Sequence, residues 1–218
     1  MAGVKGKPGM ARRDRARATR HLILRAATEE FAANGYHGTT MAAIAKHAGV
    51  AVQTVYFVFH TKGELLGAAI DEAVLGPEQP TRPDETEWWA AVIAEPKADK
   101  ALRAFIAGSG AILARASAMS EVARTAAQTD PEAQHTYDYH EKLRVDSYRQ
   151  IVESLAGKGP LRAGLSVPEA TDILVTLFGP ATYLSLISER GWSHDQVIAW
   201  LQECLPELLL PLRRRARR

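Results

Sequence analysis

Several things are scarce in this sequence, and each scarcity excludes something. There is one cysteine, Cys204, in 218 residues. No internal disulfide can form, so a disulfide scaffold is excluded and a reducing, cytoplasmic compartment is the expectation. No run of about 18 uncharged apolar residues occurs, so nothing is expected to span a membrane. The basic N-terminus is not followed by an apolar stretch and a cleavage site, so it does not read as a secretory signal. Strand-like alternation bounded by hairpin turns is missing, as is any repeat of roughly 20–50 residues. Net charge is small as well, because 27 Lys and Arg face 25 Asp and Glu and leave +2. What remains is ordinary globular material, 46% hydrophobic, 24% charged and 7% aromatic. It is long enough for one good-sized domain or for a small one fused to a larger one.

The small net charge is an average over unlike regions. Residues 1–62 carry a net +7, residues 63–212 a net −10, and the five arginines between Arg213 and Arg218 a net +5. Such asymmetry points to one nucleic-acid-facing end and a body that does something else. Residues 1–18, including Arg12 and Arg13, hold almost no large apolar residue and are expected to be a disordered basic arm. Residues 213–218 read as a basic tail or an extension of the same footprint.

The pattern from residue 19 onward is helical. Leu22, Ile23, Ala26, Ala27 and Phe31 recur at three- and four-residue spacing, and Asn34-Gly35 is a stop signal. Thr40 is an N-cap for a short helix with Met41, Ile44, Ala45 and Ala48 inward, interrupted at Gly49. A third apolar segment runs from Val52 to Phe59, and Thr61 with Glu64 fits a capping box opening a fourth helix. Residues 76–87 hold three prolines and four acids and read as a loop. Further helices begin at Asp130-Pro131, at Ser166 with Glu169, and at Ser193 with Gln196. The fold class is all-α.

Three helices in this order, the last two joined by a tight turn at Gly49, form a helix-turn-helix pattern. In that motif the second helix of the pair lies in the DNA major groove. Ile44 and Val55 are placed to hold the two helices together. Ala51, Gln53, Thr54 and Phe57 are left to face outward, with Gln53 and Thr54 able to hydrogen-bond base edges. Thr40 and Tyr56 suit phosphates, and Lys62 can reach the backbone from the start of the next helix. Lys46 and His47 read as a solvated face, Phe59 as core and Thr61 as a cap.

The run from Thr39 to Leu66 resembles the TetR family of transcriptional regulators. It carries Thr39-Thr40, then Ile44-Ala45-Lys-His-Ala48-Gly49-Val50, then Thr54-Val-Tyr56-Phe-Val-Phe59, then Lys62-Gly-Glu64-Leu65-Leu66. Phe31-Ala-Ala-Asn-Gly35-Tyr36 matches the end of the family's first helix, so the likeness covers residues 19 to about 70. It implies a three-helix DNA-binding domain over residues 19–66, and a larger helical effector-binding and dimerisation domain over 67–212. It further implies a homodimer that binds a palindromic double-stranded operator as a repressor and is released by a small-molecule effector. Gln53 and Thr54 would then read bases, and Thr40, Tyr56 and Lys62 would hold phosphates. Two departures stand out. Many members have Ser and Lys where this chain has Ala51 and Val52, and often His where it has Phe57 or Val58. The recognition helix is therefore less polar than usual. Phe57 suits a thymine methyl, and the arginines of the arm suit phosphates or the minor groove.

For the body, residues 173–187 are apolar nearly all round, which marks a buried helix, with a break expected at Gly179-Pro180. With the last helix they are expected to supply a four-helix dimer interface through Phe178, Leu184, Ile187, Trp200, Leu201 and Leu205. Candidate ligand-binding residues are Trp88, Phe105, Met119, Tyr137 and Tyr183, together with Trp89 and Tyr139 and the polar His135 and His140. A metal site at His135, Asp138, His140 and Glu141 is disfavoured because His140 falls on a different helix face. Cys204 reads as a core thiol, and no nucleophile elbow, phosphate loop or metalloprotease helix is present. The expectation is thus no catalytic residue, no metal and no cofactor. Two alternatives stay open: a ligand-independent helix-turn-helix regulator whose body only dimerises or binds a protein partner, and an all-helical enzyme.

Overall fold

The structure is a computed structural model that describes residues 8–76 and 81–211, with side chains from residue 13. Helices make up all the regular structure among the described residues. The first, α1 (Pro8–Gly38), starts well inside the segment expected as a disordered arm. Residues 8–18 form its opening turns, because Ala and Arg are among the strongest helix formers and a helix needs no large apolar residue to continue outward from a packed one. Residues 1–7, the Arg12 side chain and the tail 213–218 lie outside the described residues. The stop expected at Asn34-Gly35 is a kink, with Gly35 at φ 66 and ψ 179, a conformation that favours glycine.

The helix-turn-helix head follows as expected. Thr40 caps α2 (Met41–Ala48) by accepting from the Ala43 N–H, and Gly49 closes it in the left-handed region at φ 68. The chain then bends by 107° into α3 (Val52–Val58), within the range of helix-turn-helix pairs. Ile44 and Val55, both fully buried, hold the pair together. Thr61 caps α4 (Lys62–Leu75) through the Glu64 N–H. The Glu64 carboxylate does not complete the box; it accepts from the His60 backbone N–H and faces the His60 ring.

The boundary expected at residue 66 falls inside α4. That helix carries Leu65, Leu66, Ala69 and Ile70 in the core of the head, and Met119, Ala123, Ala126 and Ala133 of the body close the same core. The body consists of α5 (Glu87–Ala94), α6 (Ala98–Ala126), α7 (Pro131–Lys158), α8 (Val167–Leu177), α9 (Pro180–Leu184) and α10 (His194–Leu209). A short 3-10 turn at Pro83–Glu85 precedes α5, and a π turn at Ser185–Glu189 follows α9. The Asp130-Pro131 start and the capping boxes at Ser166/Glu169 and Ser193/Gln196 all form. Pro180 sits at the first position of α9 with Gly179 before it, which gives the expected break.

The apolar run of α8 and α9 divides its side chains between two faces. Phe178 is fully buried, as are Leu201 and Leu205 of α10 or nearly so, and all three belong to the protomer's own core. They are therefore not interface residues. Periodicity marked both faces of these helices as apolar and could not tell which one the protomer keeps. Leu184, Ile187 and Trp200 are only partly buried and fit an outward face. By length and mean hydropathy (1.4) the 23 residues Val167–Glu189 suffice to cross a membrane, against the expectation from uncharged runs. The break at Gly179-Pro180 leaves helices of 11 and 5 residues, each short of the roughly 20 that a spanning helix needs.

Candidate DNA-reading head and ligand cavity

The exposed face of α3 is built by elimination. Val55 points into the head and Phe59 closes it from below, with the Arg20 guanidinium 4.4 Å above the Phe59 ring. The same helical turn then presents Ala51, Gln53, Tyr56 and Phe57 to solvent, with Thr54 half-buried. Phe57 is 84% exposed and Tyr56 51%. An aromatic ring left so open on a short helix contributes nothing to the protomer's core, and such exposure marks a contact surface. Thr40 is exposed at the N-terminus of α2, beside this face in sequence order.

Lys62 is held differently from the expectation. Its Nζ donates to the carbonyls of Tyr36 (2.7 Å) and Thr39 (3.1 Å) and lies 4.1 Å above the Tyr36 ring. Two of its three donors therefore cap the end of α1, leaving one for a phosphate. Burial lowers its pKa, against the opposing pull of Asp130 and Glu132. Burial also pushes the Tyr36 hydroxyl up to about 12, with the same two acids adding to it. Thr39, expected only as part of a motif, is buried, with its hydroxyl 2.7 Å from the Gly35 carbonyl and 3.0 Å from that of Glu30. His47 is not a bare solvated residue either, since it pairs with Glu29 (3.0 Å) and Glu30 (2.9 Å) of α1.

A cavity of about 450 Å³ lies between α4, α5, α6 and α7, the size of a small-molecule site. Trp88, Trp89, Phe105, Tyr137, Tyr139 and His140 line it, as expected. Met119 does not; it is buried between the cavity and the head, in the head's core. Tyr183 does not either, because its hydroxyl turns to His194 Nδ1 (3.1 Å). His135 lies instead along a shallower groove between α4 and α7. The missed lining residues include the apolar Ile112, Leu113 and Tyr148 and, among polar ones, Asp71, Ser109, Ser117 and Arg144. Nothing in helical periodicity distinguishes a serine that faces a cavity from one that faces solvent.

The aromatic wall is a connected set. Phe105 meets Trp89 edge-on at 6.0 Å and Tyr148 edge-on at 5.4 Å. Trp88 fits because Gly108 stands behind it: a Cβ there would come within 2.4 Å of the indole. The charged lining groups come in pairs: Asp71 with His140 (3.1 Å), Arg82 with Asp84 (2.8 Å) and Glu141 with Arg144 (2.6 Å). Arg144 also donates to the Val175 carbonyl at 2.9 Å. Burial lowers the His140 pKa, but hydrogen bonds that the ring donates to Asp71 and to the Thr136 carbonyl outweigh it, and the net shift is upward. Burial pushes the Tyr148 hydroxyl up to about 12. Among the described residues no three His, Cys, Asp or Glu side chains converge as a metal site.

Residues 23–69 match the family model for bacterial regulatory proteins of the tetR family. No curated protein matches the chain. Solved structures do. FadR, a transcriptional regulator from Bacillus subtilis solved with stearoyl-CoA, is 22% identical over 84% of this chain and 96% of its own, with a TM-score of 0.66. NalD, the secondary repressor of the MexAB-OprM multidrug efflux pump in Pseudomonas aeruginosa, is 20% identical over 89% of this chain and 98% of its own, TM-score 0.68. The fatty acid degradation regulator FadR from Bacillus halodurans is 18% identical over 86% and 94%, TM-score 0.68. These are regulators, not enzymes. Residues 23–69 thus carry the N-terminal domain of the tetR family, with its helix-turn-helix, and the whole chain shares the fold of these regulators.

Proposed function

We propose that this chain is a dimeric repressor that binds a palindromic operator and lets go when a small molecule enters the cavity. One observation carries the reading: α4 belongs to both sites. Its first residue, Lys62, caps the end of α1 in the reading head, while Ile70, Asp71, Val74 and Leu75 of the same helix wall the cavity. A ligand that displaces the C-terminal half of α4 must therefore move or strain the head, which is the differential contact that coupling requires. Ala51, Gln53, Thr54 and Phe57 read bases in this scheme, and Thr40, Tyr56 and the third donor of Lys62 hold phosphates. Arg13, exposed on the first turns of α1, and Arg12 add backbone contacts. Leu184, Ile187 and Trp200 join the two copies.

The acidic body supports the same picture, since a net −10 over residues 63–212 keeps that end off DNA while the head carries +7. The test is selection of bound fragments from random duplex DNA by the full chain. The recovered sites should share one two-fold-symmetric motif with half-sites an integral number of helical turns apart. Recovery of no common motif, or of a single unpaired half-site, overturns the reading.

A further inference from the structure

The polar groups of the cavity define what it accepts. Every charged side chain lining it is already neutralised by a neighbour, in the Asp71–His140, Arg82–Asp84 and Glu141–Arg144 pairs. Arg144, the most enclosed cation, spends further donors on the Val175 carbonyl and the Tyr148 oxygen. A carboxylate or phosphate brought inside would find no free cation, and burying an unpaired charge is among the costliest things a site can do. An ammonium meets the same objection from the acids' side. The buried hydroxyls are more specific still. Ser109 donates to the Phe105 carbonyl, Ser117 to the Leu113 carbonyl, and Tyr148 to the Phe178 carbonyl. With their protons committed, Ser109 and Ser117 offer lone pairs only. They stand on one face of α6, two turns or about 12 Å apart. Ser120 and Ser147, half-buried, still give or take. The rest of the lining is aromatic or aliphatic: Trp88, Trp89, Phe105, Ile112 and Leu113.

We infer that the cavity's ligand is an uncharged, flat aromatic molecule that carries at least one hydroxyl or N–H donor, given to Ser109 or Ser117. The inference rests on the cavity being the effector site and specifies the chemistry of what enters it.

Four matched two-ring probes test it by calorimetric titration into the full chain at neutral pH: 2-naphthol, 2-methoxynaphthalene, 2-naphthoate and 2-naphthylmethylammonium. The naphthol should bind at least about tenfold more tightly than either ion, from the cost of stripping an unpaired charge of water. It should bind about threefold to tenfold more tightly than the methyl ether, which lacks the donor. The Ser109→Ala/Ser117→Ala double variant should bind the naphthol and the ether alike. Equal or tighter binding of an ion overturns the inference, as does a naphthol no better than its ether in the unaltered chain, or no binding of any probe. The same titrations are repeated on the operator complex. An ion that binds and releases DNA leaves the repressor reading standing and sinks only the ligand class. A naphthol that binds as expected without releasing DNA keeps the ligand class and sinks the release mechanism.

Discussion

His140 on α7 holds Asp71 on α4 across the wall of the cavity, with Nε2 3.1 Å from the carboxylate while Nδ1 faces the Thr136 carbonyl at 2.8 Å. Both ring nitrogens face acceptors, so the imidazolium is the form that satisfies both. Its folded pKa lies above the ordinary value. The stabilisation is therefore complete below the unfolded histidine range near about 6.5 and disappears as pH rises through the raised folded value. The thermal midpoint of the unaltered chain, minus that of His140→Gln, should be largest at mildly acidic pH and shrink through neutral to alkaline pH. At the acidic end the pair contributes about 1 kcal/mol, since Asp71 is half exposed. A difference that grows with pH would sink the assignment.

Lys62 gives the second prediction. Lys62→Met keeps the apolar stem over Tyr36 and removes the ammonium from the Tyr36 and Thr39 carbonyls. The cost expected is about 1–2 kcal/mol, from charged hydrogen bonds and the cation–π contact together. Chemical denaturation should show the loss in the protein alone, without DNA. If stability is unchanged and only DNA affinity falls, Lys62 is a phosphate contact and not a cap of α1.

These two residues show where the sequence was and was not legible. Local signals survived intact: Thr40, Gly49, Asp130, Ser166 and Ser193 do their work within one turn of themselves, and each stands where its type predicts. The head was legible for the same reason, because its motif is short and contiguous. Long-range choices were not. Lys62 reaches back 26 residues to its carbonyl, and Asp71 meets His140 across 69. Neither pairing leaves a trace in periodicity. Met119, Tyr183, Phe178, Leu201 and Leu205 were misassigned on similar grounds, since an apolar helix does not announce which of its faces meets its own core. The opening of α1 went unrecognised because Ala and Arg sustain a helix without any apolar stripe.

The recognition helix supplies the third prediction. Phe57 is 84% exposed, so Phe57→Ala should leave stability within about 0.5 kcal/mol. It should nonetheless weaken binding to the selected operator by about 1–2 kcal/mol and flatten preference at a thymine position. Tyr56→Phe should instead weaken binding to all sequences evenly while leaving the salt dependence unchanged, because its hydroxyl is neutral. Quantitative footprinting on the operator and on scrambled duplex separates the two. If Phe57→Ala binds both duplexes as the unaltered chain does, α3 does not read DNA with this face.

The dimer face proposed on α9, the following π turn and α10 supplies the last prediction. Leu184, Ile187 and Trp200 are apolar, partly open to solvent and packed on the body's core from outside, with Trp200 edge-on to Trp192 at 6.0 Å. Leaving that face wet in a single copy is unfavourable by about 25 cal/mol per Å² of apolar surface. In the proposed dimer, its removal from water favours association of a second copy through the same patch, as two-fold symmetry requires. Leu184→Glu with Ile187→Glu should give a folded monomer by sedimentation and lose operator binding, because one head grips half a palindrome. Leu205→Ala is the control on the inner face. It should cost about 2–5 kcal/mol of protomer stability through the cavity it opens, without a specific shift between monomer and dimer. A Leu184→Glu/Ile187→Glu protein that still sediments as a dimer would place the interface on another surface.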